Sequence, residues 1–216
     1  MKSVLLIGLG RFGCYVAQAL DEQGDEVMAI DKDEDKVNDA LKFVTNALIG
    51  DSTNERFVES LGVGNFDLCI VAIADDFQSS LETTALLKDC GAKYVLSRAS
   101  DDSQAKFLLR NGADEVVFLE KQMAAWTAIK YSNDNIFDYM ELSDDYAIYE
   151  TPVPHSWVGK TVVELDVRKK FNVNILATKL RGKLSPMHGV GHVFSAEENL
   201  LLLGNKQDMH KFLKKI

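Results

Sequence analysis

The sequence predicts an α/β protein in which a doubly wound parallel sheet is followed by a helical crossover and a small α+β lobe. Three observations predict this architecture. Short apolar runs alternate with amphipathic stretches from Ser3 to about Tyr131. A glycine-rich turn joins the first apolar run to the first amphipathic stretch. The alternation stops after Phe118, and a shorter pattern of different rhythm follows it.

The first part of the chain contains six apolar runs of strand length, and all but the last are followed by a helical pattern. Such a succession is typical of a parallel sheet covered on both faces. The predicted strands are Val4–Ile7, Glu26–Ile30, Thr45–Ile49, Leu68–Ala72, Tyr94–Ser97 and Glu115–Phe118. The predicted helices are Phe12–Glu22, Asp33–Lys42, Asn54–Ser60, Ser79–Cys90 and Ser103–Asn111. We therefore expect a Rossmann-like domain over residues 1–131.

The second part of the chain predicts a different order of elements. Residues 120–142 have the pattern of a helix, a break at 132–135 and a second helix. The predicted strands that follow are Tyr146–Thr151, Asn174–Lys179 and Leu200–Leu203, and the predicted helices are Thr161–Phe171 and Lys206–Leu213. This order is that of a small α+β sandwich. We expect a linker at residues 132–144 and a C-terminal lobe at 145–216.

Composition excludes several classes of protein. The longest apolar runs are strand-sized, and none approaches the roughly 18 residues of a membrane helix, so we expect a cytoplasmic protein without direct membrane insertion. The formal charge of −9 argues against nucleic-acid binding. Residues 151–216 nevertheless hold 11 basic against 5 acidic residues, which favours two domains with different surfaces. Widely spaced Cys14, Cys69 and Cys90 predict buried thiols in a reducing compartment.

The glycine-rich turn has the spacing of a dinucleotide-binding fingerprint. Gly8, Gly10 and Gly13 follow the first strand directly and open the first helical pattern, and Asp31 ends the next strand. Gly8 allows the tight turn, Gly10 lets a phosphate approach the backbone, and Gly13 lets the helix pack closely. Asp31 can accept both ribose hydroxyls and would repel a 2′-phosphate, which disfavours NADP. Arg11 adds a permanent cation that suits a nucleotide di- or triphosphate as well as NAD.

Further polar residues follow the later strands. Because ligands of an open parallel sheet bind outside the carboxyl ends of its strands, these residues join the candidate site. Asp51 and Asp75 could equally be helix caps. Ser52 and Thr53, which follow Asp51, are also predicted to cap the next helix. The candidate cofactor-binding residues are Gly8, Gly10, Arg11, Phe12, Gly13, Asp31, Lys32, Asp51, Ser52, Ala74, Asp75 and Arg98.

No catalytic set accompanies this site in the sequence. Hydride transfer needs a proton-transfer group, usually His, Lys or Tyr. All four histidines, His155, His188, His192 and His210, fall in the second part of the chain. Glycines beside His188 and His192 argue against a helical metal pair. The pattern therefore favours binding without turnover.

These residues resemble the RCK domains of potassium-transport regulators of the KtrA and TrkA types. The resemblance includes the string Ile7–Gly13 with Asp31, the strand at 71–73 and Gly112–Asp114. It continues more diffusely through Glu120-Lys121, 142–144, Leu165, Val167-Arg168 and 174–177. Two departures are Asn199, where such lobes often carry Asp, and Gly50-Asp51, which is more similar to TrkA than to KtrA.

The resemblance implies a regulatory gating-ring subunit. It implies homodimers assembled into an octameric ring beneath an integral-membrane potassium-translocating subunit, with ATP, ADP or NAD(H) bound in the first lobe. It also implies that Glu120 helps to hold Mg²⁺ or Ca²⁺. In the second lobe, Arg168, Asn174, Ile175 and Pro186 resemble positions of a cyclic di-AMP pocket. The alternatives are a small NAD-dependent oxidoreductase or redox-sensing repressor, and a standalone ligand-binding or assembly domain.

Overall fold

The computed structural model describes residues 1–186 and 191–215 and contains two compact units, Met1–Lys121 and Gln122–Ile216. The first unit is built on a six-stranded parallel sheet with the order β3-β2-β1-β4-β5-β6. Its strands are β1 (Ser3–Ile7), β2 (Glu26–Asp31), β3 (Asn46–Ile49), β4 (Leu68–Val71), β5 (Val95–Arg98) and β6 (Glu115–Val117). Its helices are α1 (Arg11–Glu22), α2 (Glu34–Ala40), α3 (Glu55–Ser60), α4 (Phe77–Asp89) and α5 (Asp102–Arg110). The doubly wound architecture predicted from the sequence is confirmed.

Apolar side chains cover both faces of this sheet. Leu6 of β1 packs with Val37 of α2 on one face. Leu5 packs with Leu87 of α4 on the opposite face. Because successive strand residues point to opposite faces, one continuous apolar run supplies both cores.

Helix α6 (Leu119–Tyr131) begins in the first unit and continues into the second. The units divide between Lys121 and Gln122, earlier than the boundary after Tyr131 that the sequence suggests. The cause is the packing of Trp126 and Ile129 against the core of the second unit. The indole N–H of Trp126 also donates a hydrogen bond to the carbonyl oxygen of Tyr139, at 3.0 Å.

The second unit contains a five-stranded antiparallel sheet with the order β10-β9-β11-β8-β7. Its strands are β7 (Asp138–Glu141), β8 (Tyr146–Pro152), β9 (Val173–Leu180), β10 (Lys183–Pro186) and β11 (Glu198–Asn205). Its short helices are α7 (Val162–Leu165), α8 (Val167–Phe171) and α9 (Lys206–Leu213). A core around Trp157, Phe194 and Phe212 joins these helices to the sheet. The predicted small α+β lobe is confirmed.

Two predictions for the second unit are wrong in detail, and one strand is missing from the prediction. The second helix expected before residue 142 is strand β7, which pairs with β8 so that Tyr139 lies opposite Tyr149. The single helix expected at Thr161–Phe171 is divided, because Asp166 adopts a left-handed conformation with φ of 45°. The sequence pattern does not predict strand β10, which pairs with β9 at the edge of the sheet that the described residues form.

The three cysteines are free. Cys69 is buried, and burial raises the pKa of its thiol to about 12. Cys14 and Cys90 are only half-buried. The expectation of buried thiols therefore holds fully for Cys69 alone. No helix among residues 1–186 and 191–215 has the length and apolarity needed to cross a bilayer.

Candidate functional site

A cavity of about 680 Å³ lies at the carboxyl ends of the parallel strands in the first unit. Ile7, Asp31 and Arg98, which end β1, β2 and β5, contribute to its wall. The strand order reverses direction between β1 and β4. Open α/β sheets bind their ligands outside the strand ends at such a switch point.

The glycine turn forms one wall of the cavity. Gly8 has φ of +98°, and its N–H donates to the carbonyl oxygen of Ile30 at 2.8 Å. A Cβ atom added at Gly13 would lie 2.0 Å from the carbonyl oxygen of Gly8, whereas one added at Gly10 would have no neighbour within 4 Å. Gly8 and Gly13 therefore shape the turn, while Gly10 leaves space above the backbone.

Helix α1 begins at the edge of the same cavity. Gly10 precedes the helix with an extended backbone and provides no side-chain cap. The first N–H groups of a helix have no partner within the helix and carry partial positive charge. Arg11 and Phe12 of this first turn both line the cavity. This end of α1 is therefore suited to a phosphate group.

Asp31 is held in place by backbone N–H groups. Its Oδ2 accepts from Leu9 at 2.7 Å, and its Oδ1 accepts from Asp33 at 3.0 Å. Each carboxylate oxygen keeps a further lone pair that could accept a ligand hydroxyl. The first of these bonds also ties the glycine turn to the end of β2.

Asp51 and Ser52 follow β3 and have different roles. Asp51 Oδ1 accepts from the N–H of Thr53 at 2.9 Å and from its hydroxyl at 2.7 Å, and these bonds lower the pKa of the carboxyl group. Ser52 is buried, and its hydroxyl lies 2.8 Å from that of Thr83. The predicted capping by Ser52 and Thr53 is wrong, because Asn54 accepts from the N–H of Phe57 and caps α3.

Ala74, Asp75 and Asp76 follow β4. Asp76 caps α4 by accepting from the N–H of Ser79 at 3.1 Å and from its hydroxyl at 2.6 Å, and these bonds lower the pKa of the carboxyl group. Since Asp76 is the cap, Asp75 is left as an exposed carboxylate on the cavity wall.

Arg98, Phe12 and Glu120 form a contact group in the lining of the cavity. Arg98 Nη2 donates to Glu120 Oε1 at 3.0 Å, and the guanidinium lies 5.7 Å from the centre of the Phe12 ring. A bond from the backbone N–H of Glu120 itself and the charge of Arg98 lower the pKa of the Glu120 carboxyl group. Arg98 Nε is buried and has no hydrogen-bond partner among the described residues.

The structure brings nearly all of the predicted cofactor-binding residues together. With the exception of Gly13, which is buried in the first turn of α1, every candidate cofactor-binding residue lines the cavity, and so does Glu120. Sequence reasoning missed Tyr15, Lys36, Ile73, Ser79 and Leu119. Tyr15, Lys36 and Ser79 lie within the first five residues of α1, α2 and α4, whose N-termini meet at the sheet edge. That shared position is the signal that could have found them.

The residues predicted for a second ligand lie in the second unit. Arg168 is in α8, Asn174 and Ile175 are in β9, and Pro186 ends β10 opposite Ala177. None of them lines the nucleotide-type cavity. His188 lies outside the described residues.

Comparison with known proteins covers nearly the whole chain. Residues 4–119 match the TrkA-N domain, and residues 147–216 match the TrkA-C domain. The chain is 40% identical to "Ktr system potassium uptake protein C" of Bacillus subtilis (strain 168), over 100% of this chain and 97% of that protein. This chain belongs to the Ktr/TrkA family. "Ktr system potassium uptake protein A" of the same strain is 35% identical, over 98% of this chain and 95% of its own length.

Two solved structures share the fold over all or part of this chain. The GsuK channel bound to NAD matches 98% of this chain with a TM-score of 0.70 at 17% identity, and this chain spans 39% of its length. The C-terminal domain of a Kef protein of Shewanella denitrificans in an AMP-bound form matches 59% of this chain and 77% of its own, with a TM-score of 0.50 at 25% identity.

Proposed function

We propose that this chain is a nucleotide-sensing regulatory subunit of a potassium uptake system, which binds ATP, ADP or NAD(H) without converting it. The observation that carries the proposal is the full-length identity of 40% to a Ktr system potassium uptake protein. Membership of the Ktr/TrkA family favours this function over an oxidoreductase, a redox-sensing repressor or a standalone binding domain.

The geometry of the cavity supports a nucleotide ligand. Asp31 offers carboxylate oxygens to a ribose, while Arg11, Arg98 and the start of α1 offer positive charge to a phosphate chain. The relative from Shewanella denitrificans was solved with AMP, which supports an adenine nucleotide here. The proposed ligand therefore has its ribose at β2 and its phosphates over the glycine turn.

The lining of the cavity gives little support to hydride chemistry. His155, His192 and His210 all lie in the second unit. Tyr15 lines the cavity but is 72% exposed, and no hydrogen bond from the described residues orients it. General acid catalysis needs a group held in place beside the reacting atom. We therefore propose binding without turnover.

We further propose how the chain acts on transport. Its partner would be an integral-membrane potassium-translocating subunit, and the chain would form homodimers that assemble into an octameric ring at the cytoplasmic face of the membrane. Ligands that differ in affinity for two ring states would shift the balance between them, and a roughly tenfold difference corresponds to about 1.4 kcal/mol per site. Nucleic acid has no part in this proposal.

A divalent cation and a cyclic dinucleotide remain proposed ligands. No group of three or more His, Cys, Asp or Glu side chains within the described parts of the chain is arranged to hold a metal. Glu120 could therefore hold Mg²⁺ or Ca²⁺ only together with other oxygens, which ligand phosphates would supply. For cyclic di-AMP, Arg168 offers a cation, and Asn174, Ile175 and Pro186 lie on the adjacent strands β9 and β10.

Calorimetry of the purified chain with ATP, ADP, NADH and cyclic di-AMP tests which ligand binds. Asp31→Ala should weaken adenine-nucleotide binding by roughly 1.5–3 kcal/mol, because a charged acceptor is lost from the ribose. Asp35→Ala is the matched control, since Asp35 is an exposed carboxylate of α2 outside the cavity. Equal affinities of the two variants would contradict the ribose assignment.

Small-angle scattering tests the proposed ring. The profile of the chain should be that of a large assembly and should differ between ATP and ADP. A monomer whose profile ignores nucleotide would overturn the regulatory-ring proposal, whatever calorimetry shows.

A further inference from the structure

Arg98 and Glu120 connect the cavity to the start of a helix. Arg98 is the last residue of β5, and Glu120 lies in the first turn of α6. Their side chains meet at 3.0 Å between Nη2 and Oε1. The Arg98 side chain is 17% exposed and that of Glu120 is 60% exposed. The pair therefore joins a largely buried cation to a carboxylate that solvent can reach.

The guanidinium of Arg98 is not fully paired. Its Nε is buried without a partner among the described residues, and its Cζ lies over the Phe12 ring, 5.7 Å from the ring centre. A buried donor that lacks an acceptor is costly, so an acceptor that reached Nε together with an Nη atom would be favoured. Because the Glu120 carboxylate accepts from Nη2, the N–H of Nε is left without an acceptor among the described residues.

We propose that Glu120 is a positioning residue, which holds Arg98 at the cavity wall until a nucleotide phosphate takes its place. The proposal rests on the nucleotide-sensing function above and describes its regulation. Because the Glu120 side chain is 60% exposed, solvent screens the pair and the pair contributes little free energy, so Glu120 can be displaced. A phosphate brings more charge and can bind a guanidinium through two parallel hydrogen bonds.

Two consequences follow from this exchange. Ligands without a phosphate at Arg98 leave the pair intact, so the pair makes the cavity respond to nucleotides and not to nucleosides. Ligands with such a phosphate release Glu120 and so detach the first turn of α6 from the end of β5. Phosphate binding is thereby converted into a change at the start of the helix that leads out of the first unit.

Glu120→Gln, Arg98→Gln and the double variant test the exchange by calorimetry with ADP in EDTA, which removes divalent cations. Glu120→Gln should tighten ADP binding by about two- to fivefold, the range expected for an exposed ion pair. Arg98→Gln should weaken it, and in that background Glu120→Gln should have no further effect. Adenosine should bind Glu120→Gln and the unaltered chain equally.

Asp75→Asn is the matched control, since Asp75 is a second carboxylate on the cavity wall and has no ion pair with Arg98. Asp75→Asn should change ADP affinity by the same factor with and without Arg98→Gln, because it removes only general charge repulsion. If Glu120→Gln behaves in this additive way, or does not tighten ADP binding at all, the exchange is overturned while nucleotide sensing stands. If the unaltered chain binds no nucleotide even with Mg²⁺ present, the proposed function itself fails.

Hydrogen exchange provides a second measurement that does not depend on variant affinities. ADP should speed amide exchange at the start of α6 in the unaltered chain, and adenosine should not. In Glu120→Gln, exchange at the same amides should already be fast without ligand. Slower exchange there on ADP binding would contradict the release of α6.

Discussion

Gly10 and Gly13 belong to the same glycine-rich motif, yet the space around them differs. A Cβ atom at Gly13 would meet the carbonyl oxygen of Gly8 at 2.0 Å, which is far inside van der Waals contact. Nothing lies within 4 Å of the corresponding position at Gly10. Gly13 is needed by the fold, and Gly10 leaves room that a ligand can use.

We predict opposite outcomes for the two alanine variants. Gly13→Ala should destabilise the chain by at least roughly 1–3 kcal/mol, because the turn must move to admit the methyl group. Gly10→Ala should cost less than about 1 kcal/mol, the usual scale for a change at a helix N-cap, but should weaken nucleotide binding. Urea unfolding and calorimetry measure the two effects. A strongly destabilised Gly10→Ala variant would show that the open space is not real.

At the scale of elements, helix α4 packs on the sheet through hydroxyl groups as well as apolar ones. Ser80, Thr83 and Thr84 are all buried on its inner face. The hydroxyl of Thr84 lies 2.8 Å from that of Ser97 in β5. Because each of these two hydroxyl groups is the other's partner in a buried layer, the contact specifies how α4 lies against the strand.

We predict that the hydroxyl groups of Thr84 and Ser97 contribute to the free energy of unfolding as a coupled pair. Thr84→Val should destabilise the chain by about 1–3 kcal/mol, because the Ser97 hydroxyl is then buried without that partner. The double variant Thr84→Val, Ser97→Ala should lose less than the sum of the single variants. Thr127→Val, at an exposed helical position, is the control for helix propensity. Additive losses in urea unfolding would contradict a coupled pair.

At the scale of the whole molecule, carboxylates in both units are stabilised in their charged form. Lys88 lowers the pKa of Asp114 in the first unit, with help from the N–H of Val95. Bonds from Thr161 lower the pKa of Glu164 in the second unit. A group whose pKa is lower in the folded state contributes stability above its unfolded pKa and loses it as pH falls through its folded pKa.

We therefore predict that the chain loses stability as pH falls below about 4, near the unfolded pKa of these groups. Urea midpoints at pH 7 and pH 3 measure the loss. Asp114→Asn should lower the midpoint at pH 7 and reduce the difference between the two pH values, since its charged form no longer contributes. A midpoint that is as high at pH 3 as at pH 7 would show that these contacts do not favour the folded state.

Features that depend on neighbouring residues could be predicted from the amino-acid sequence. The six strands of the first sheet, the turn around Gly8 and the position of Asp31 follow from apolar periodicity and from local backbone chemistry. Parallel strands end at one edge, so most of the candidate site could be assembled from strand ends alone.

Tertiary structure decided the features that depend on distant residues. Strand β7 was mistaken for a helix because a short segment takes its conformation from the strand that it pairs with. Strand β10 depends on β9 in the same way. The Arg98–Glu120 pair and the Ser52–Thr83 hydroxyl pair join residues that no local pattern connects. The physical reason is that strand pairing and side-chain contacts form between segments far apart in the chain, whereas periodicity and turn chemistry act only within a few residues.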